Sequence, residues 1–93
     1  MTIKVTNERI DRVAIKWAGV VHTAEQPRRH HDVIHEMAKL GFGPECMHDQ
    51  GFVTDTGRFV DRKEAYLIAG RAGQIKENSH ASMTHGLFSE DVW

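Results

Sequence analysis

The chain of 93 residues has one cysteine, two prolines and one tyrosine, and no excess of either charge. Each scarcity excludes something. Cys46 alone cannot close an internal disulfide, so a reducing, intracellular setting is expected. No apolar run approaches the ~20 residues that cross a bilayer, so no membrane partner is expected. The opening stretch MTIKVTNERIDR is polar and lacks the apolar segment of a secretory leader. Twelve Lys plus Arg against thirteen Asp plus Glu give a net charge of -1. That balance lacks the basic stripe of a general nucleic-acid binder, and DNA is not expected as a partner. Neither common glycine-rich phosphate loop is present. No internal repeat or low-complexity tract breaks the chain, which reads as a single domain over residues 1–93. A chain this short buries only about 60% of its unfolded surface, and such thin cores often gain stability by self-association.

What is there reads as two hairpins, each followed by a helix. Val13, Ile15 and Trp17 alternate with Ala14 and Lys16, the pattern of a half-buried strand. Ala18-Gly19 turns the chain, and Val20 to Thr23 returns it. AEQPRR is a polar connector. RHHDVIHEMAKLGFG is helical, with Val33, Ile34, Met37 and Leu40 at the spacing of a buried stripe and Gly41 as its stop. FGPECMHD follows as a loop. Gly51 to Thr54 and Arg58 to Val60 form the second hairpin around Asp55-Thr56-Gly57. Asp61 caps the next helix, with Glu64 three residues on completing a capping box. Ala65, Ile68, Ala69 and Ala72 give that helix a small-residue buried face, and Gly73 stops it. QIKENSHASMTHG is polar and loose, and Phe88 and Trp93 dock the closing LFSEDVW. The expected fold is α+β: a small antiparallel sheet with two main helices on one face.

The second hairpin carries the chemistry of interest. A three-residue loop sets Val53 opposite Phe59 and Phe52 opposite Val60, and alternation then divides the side chains between two faces. Val53 and Phe59 form a plain core face; Phe52, Thr54, Arg58 and Val60 form a mixed one. A ring on which a base stacks (~1–3 kcal/mol), a guanidinium that grips phosphate and a hydroxyl for a ribose suit a nucleotide. Arg62, in the first turn of the next helix, adds a cation where backbone amides also favour anions. Arg28, Arg29, His30 and His31 gather at the start of the first helix as a second candidate anion site. The plainer reading of the hairpin group puts Phe52 and Val60 in the core with Thr54 and Arg58 solvated, and that of the second group is a solvated first turn.

Seven histidines are many for this length. His31 and His35, four apart on one helix, with Cys46 and His48 in a nearby loop, could supply four metal ligands. The spacing matches no zinc finger, and HDVIH is not HExxH. Cys46 with His48 is a weak nucleophile-base pair, and Ser89 beside Glu90 and Asp91 reads as a cap. A small metal- or histidine-dependent phosphodiesterase acting on a nucleotide is the alternative these residues support. The favoured reading is a non-enzyme with no metal and no cofactor.

QGFVTDTGRFVDRKEA, RHHDVIHEM, AGQIK and the closing LFSEDVW together resemble a family of small phage proteins, the anti-Thoeris proteins of the first type. The resemblance covers most of the chain from Val13 onward. It implies a non-catalytic sponge, made in the host bacterial cytoplasm during infection. Such a protein sequesters a cyclic ADP-ribose isomer, and in some members cyclic trinucleotides, without cleaving them. It implies an antiparallel sheet with helices, and homo-oligomers, dimer or hexamer, with ligand at subunit interfaces. The family's ligand-binding positions correspond to Phe52 and Asp61 here. Phe52, Thr54, Arg58, Asp61 and Arg62, with Arg28, Arg29, His30 and His31, are thus the expected ligand contacts.

Overall fold

The computed structural model describes residues 8–93; the polar opening stretch, as far as Asn7, lies outside them. Strands β1 (Ile10–Trp17) and β2 (Val20–Glu25) form the first hairpin, and α1 (His30–Lys39) follows. Strands β3 (Asp49–Thr54) and β4 (Phe59–Asp61) form the second, and α2 (Arg62–Ala72) follows. Short 3-10 turns cover Pro44–Cys46 and Ser89–Asp91. The four strands make one antiparallel sheet in the order β2-β1-β3-β4, so the two hairpins join through their first strands. The fold is α+β, as the alternation of hairpins and helices implied.

Pairing fixes which residues share a face. Ala24, Val13, Phe52 and Val60 lie in one row across the sheet, and Ile15 lies in the next inner row, opposite His22 and Gln50. These rows face the helices. Val33 and Met37 of α1, and Ala65, Ile68 and Ala69 of α2, pack on them in one core cluster with Ile10 and Leu87. Helices therefore cover one face of the sheet, and the other is left open. Full burial of an apolar side chain in such a core is worth ~1.5–3 kcal/mol.

Several expectations need correction. The registers Phe52–Val60 and Val53–Phe59 are as expected, but the faces are reversed: Phe52, Thr54 and Val60 are buried, whereas Val53 and Phe59 are only partly covered. Leu40, expected in the stripe of α1, is 71% exposed, because α1 ends one residue before it. Asp61 caps α2 by accepting from the Glu64 amide at 2.8 Å. The Glu64 carboxylate does not complete the box; it pairs with Arg58 at 2.7 Å. Gly41 and Gly73 end the two helices.

The segment after α2 is irregular but well tied. Gln74 mimics a strand partner for Ile10, accepting from its amide at 2.8 Å and donating to its carbonyl at 2.9 Å. Gly86 has φ 76° and packs so closely on Arg62 that a Cβ there would lie 2.6 Å from the Arg62 Cβ. Only glycine meets both demands. Leu87 then enters the core, its amide donating to the Arg62 carbonyl at 2.8 Å. Asp91 closes the last turn by accepting from the Phe88 amide at 2.8 Å and from the Ser79 hydroxyl at 2.9 Å. Ser89, the expected cap, is instead buried.

Candidate ligand-binding face

The expected contacts on the second hairpin are occupied with structure. Phe52 has no exposed surface; its ring meets His30 edge-on at 4.9 Å and Trp93 at 6.2 Å. A ring sealed this way offers no stacking platform. Thr54 is buried, and its hydroxyl donates to Glu8 at 2.6 Å. Glu8 also takes Thr56 at 2.8 Å and both Nε and Nη2 of Arg58, at 3.2 and 2.8 Å. These bonds, first of all that from Arg58, pull the Glu8 carboxyl down to about 2. With Nη1 on Glu64, every nitrogen of Arg58 is engaged by a carboxylate. So engaged, Arg58 has no nitrogen left open for a phosphate.

Arg62 is turned inward. Its Nη1 donates to the Leu87 carbonyl at 2.8 Å, Nη2 donates to Gln50, and its guanidinium lies 4.3 Å from the Phe88 ring centre. Burial lowers its pKa from the usual arginine value, against the opposing pull of Glu90 and Asp91. Asp61 is spent as the cap of α2. The cluster expected at the start of α1 is likewise divided. Arg29 donates to the Trp93 carbonyl oxygen at 2.7 Å. His30 is buried with Nε2 2.6 Å from the Gly51 oxygen, so that nitrogen carries the proton. Burial, then the charge of Arg62, pushes the His30 pKa down to about 4, so the ring is neutral at pH 7. His31 is exposed, 3.5 Å from Asp32. Arg28 is exposed on the connector.

The donors of the metal alternative do not converge. His31, His35 and His48 are exposed, whereas Cys46 is buried. Among the described residues, no three His, Cys, Asp or Glu side chains gather closely enough to hold a metal ion.

The open face of the sheet brings together the ring and cation expected elsewhere. Arg12 faces Val53, and Val53 faces Phe59; Ala14 faces Gly51; Lys16 faces Val21 and Asp49. All point away from the helices. The Phe59 ring leans over Gly51, where an added Cβ would come 2.9 Å from its Cζ and would also strike the Val60 carbonyl. The glycine leaves the ring room to approach the strand backbone, a known pairing of aromatic and strand glycine. Lys16 Nζ stands 5.7 Å from the ring centre. Arg12 is held by Nε on Asp11 at 3.0 Å, and its two terminal nitrogens have no protein partner among the described residues. Arg12, Val21, Thr23, Val53 and Phe59 line a groove of about 450 Å³, with Asp11 and Asp55 at one end. Both acids are engaged, Asp11 by Arg12 and Asp55 by the Arg9 amide at 3.0 Å. The volume falls in the ~300–1,000 Å³ range of small-molecule sites.

Sequence reasoning missed Arg12, Lys16 and Phe59 as a group. Alternation set Lys16 opposite Val13 and Ile15, and one step back it would have added Arg12. Gly51 was the remaining signal, because a strand glycine often marks a close approach by another group.

Fold and face define a small α+β protein whose sheet is covered on one side and bears on the other a groove lined by Phe59, Arg12 and two aspartates. The chain belongs to the phage T4 y16D protein family, whose profile matches residues 6–93. No curated protein and no solved structure matches it. Among the described residues, no helix is long and apolar enough to cross a membrane.

Proposed function

We propose that this phage-family protein is a non-catalytic binder that sequesters a cyclic nucleotide signal, a cyclic ADP-ribose isomer or a cyclic trinucleotide, on the open face of its sheet. The observation that carries the reading is Phe59 on the groove side of the sheet, with Lys16 5.7 Å from its ring centre and Arg12 in the same row, across Val53. A base stacked on the ring gains ~1–3 kcal/mol. The exposed lysine–ring contact it displaces is worth ~0.5–1 kcal/mol, so stacking wins. The flexible ammonium then moves to a phosphate. The terminal nitrogens of Arg12 take a second phosphate oxygen pair, and the Thr23 hydroxyl serves a ribose. The groove's two carboxylates are both hydrogen-bonded, which favours holding over hydrolysis. Arg28 lines an adjoining groove together with Arg12 and Glu25. In this reading the protein acts in the host cytoplasm during infection and works as a homo-oligomer, dimer or hexamer.

A calorimetric titration against cyclic ADP-ribose isomers and cyclic trinucleotides tests the proposal. Binding is expected for at least one, with the ligand recovered intact after heat denaturation. A cleaved product, or no binding to any of them, overturns it.

A further inference from the structure

Strand β1 carries one residue more than its neighbour β3 where the two meet the end of the groove. Ile10 faces Thr54 and Arg12 faces Val53, so Asp11 is an insertion, a β-bulge. Strict alternation would send residues 10 and 13 to opposite faces, yet Ile10 and Val13 are both buried in the core. The bulge absorbs the extra residue and turns Asp11 and Arg12, neighbours in sequence, to the same open face, where both line the groove with Phe59. The displaced backbone is satisfied, since the Gln26 amide donates to the Asp11 carbonyl at 2.8 Å. Bulges are over-represented beside active sites, where they re-aim side chains.

The pair sets an acceptor next to a donor. Arg12 Nε donates to Asp11 Oδ2 at 3.0 Å. Among the described residues, Asp11 Oδ1 and the two terminal nitrogens of Arg12 have no hydrogen-bond partner. The two side chains are 41% and 35% exposed. One carboxylate oxygen and one guanidinium edge therefore open on the same groove. Acids surround them: Asp55 lies at this end with Oδ1 on the Arg9 amide, and Glu25 faces Arg12 across the first hairpin. A phosphate is attracted to the guanidinium and repelled elsewhere at this end, whereas a group with an O–H to donate suits the carboxylate.

A ribonucleotide phosphodiester carries these two groups side by side. Its free hydroxyl and its esterified hydroxyl are on adjacent ribose carbons, so a proton donor lies next to a phosphate. Resting on the nucleotide reading above, we propose that Asp11 and Arg12 read this unit together. Arg12 takes the phosphate, and Asp11 Oδ1 accepts from the hydroxyl beside it. An acidic side chain on a ribose hydroxyl is also how dinucleotide-binding folds read their sugar. A deoxyribose has no proton to give, and leaves the carboxylate unpaired beside a phosphate. A cyclic ADP-ribose isomer carries its diphosphate on the 5′ carbons, away from the ring hydroxyls, and lacks the adjacent pair. Of the two ligand classes, the bulge selects the cyclic trinucleotide built on ribose, and Asp11 determines that choice.

Calorimetric titration of the parent chain tests the assignment with four probes. These are 3′,5′-linked cyclic tri-adenylate, its 2′-deoxy and 2′-fluoro counterparts, and a cyclic ADP-ribose isomer. The fluoro compound keeps a ribose-like pucker but cannot donate. A hydrogen bond to a carboxylate is strong, but this one is partly solvated, so the ribose ligand is expected to bind about 10-fold more tightly than either analogue. Asp11→Asn keeps an oxygen for Arg12 Nε. It is expected to weaken the ribose ligand and tighten the deoxy ligand, bringing their ratio near one, with the fold checked by circular dichroism. Should that variant fail to fold, the analogue ratios on the parent decide alone. The assignment is overturned, and the nucleotide reading left standing, by a deoxy or fluoro analogue as tight as the ribose ligand, by tighter binding of the cyclic ADP-ribose isomer, or by an equal loss for ribose and deoxy ligands in Asp11→Asn. Failure of all four probes to bind overturns the reading and the assignment with it.

Discussion

Phe52 and Phe59 sit on opposite faces of one short β-ribbon, and truncating each to alanine separates folding from binding. Phe52 has no exposed surface and touches both His30 and Trp93 edge-on. Phe→Ala in a sealed core costs ~3–5 kcal/mol through lost burial and the cavity left behind. The two edge contacts place this site toward the upper end. A domain of this size is held by about 5–14 kcal/mol, so the loss is a large part of the whole. It corresponds to a fall in Tm of about 12–40 °C. Phe59 is partly exposed, and its truncation costs ~1 kcal/mol of stability, including the lysine contact. Its loss is expected to weaken nucleotide binding by about 5- to 150-fold through the missing stack. Urea denaturation followed by circular dichroism gives the first quantity, and titration of the folded variant gives the second. A Phe52→Ala protein within ~1 kcal/mol of the parent would show that the ring is not a core anchor. A Phe59→Ala protein that binds as tightly as the parent would remove the open face from the site.

Three further outcomes follow from the same contacts. His30 is buried neutral with a pKa near 4, below its ordinary value of 6.5, so the unfolded chain binds a proton that the folded chain refuses. Stability therefore falls as pH drops from 6.5 toward 4, by on the order of 3 kcal/mol, and levels off below; His30→Gln should flatten that limb in pH-dependent urea midpoints. Glu8 shifts the opposite way, from 4.5 down to about 2 through Arg58 and two threonines, so its stabilisation is full above pH 4.5 and disappears as pH falls through 2. Glu8→Gln should remove this acid-side loss, and an unchanged acid limb would show that the contact contributes nothing. Gly86→Ala meets the Arg62 backbone at 2.8 Å while holding φ 76°, and is expected to lower the unfolding free energy by ~1–3 kcal/mol; a neutral effect would show that the tail is free to shift.

Local signals were read well and distant ones were not. The Asp61 cap, the glycine stops and the register of the Asp55-Thr56-Gly57 hairpin depend on residues within a few positions, and all are present. Alternation shows which residues share a face but not which face goes inward. For the second hairpin that choice is made by His30 and Trp93, which close over Phe52 from elsewhere in the chain. Leu87 sits beyond a polar stretch with no periodic neighbours, so nothing nearby marks it as core. The fate of Arg58 is set largely by Glu8, fifty residues earlier, and no spacing rule predicts that pair.

A guanidinium carries five N–H donors, and an anion can use only those the protein has left open. This criterion ranks the arginines differently from their order in the sequence. Arg58, in the hairpin, has all three nitrogens on carboxylates. Arg62, at a helix start, gives its terminal nitrogens to a carbonyl and an amide oxygen and is partly desolvated by Phe88. Arg29 gives Nη2 to the Trp93 oxygen. Among the described residues Arg12 gives Nε alone, to Asp11, while its terminal nitrogens lie along a groove that Phe59 also lines. Position near a turn or helix start made the first three conspicuous in the sequence, but those same positions supply the acids, carbonyls and rings that occupy them. Mid-strand on an open face, Arg12 keeps its terminal nitrogens without a hydrogen-bond partner among the described residues, although Asp11, Asp55 and Glu25 all stand near it.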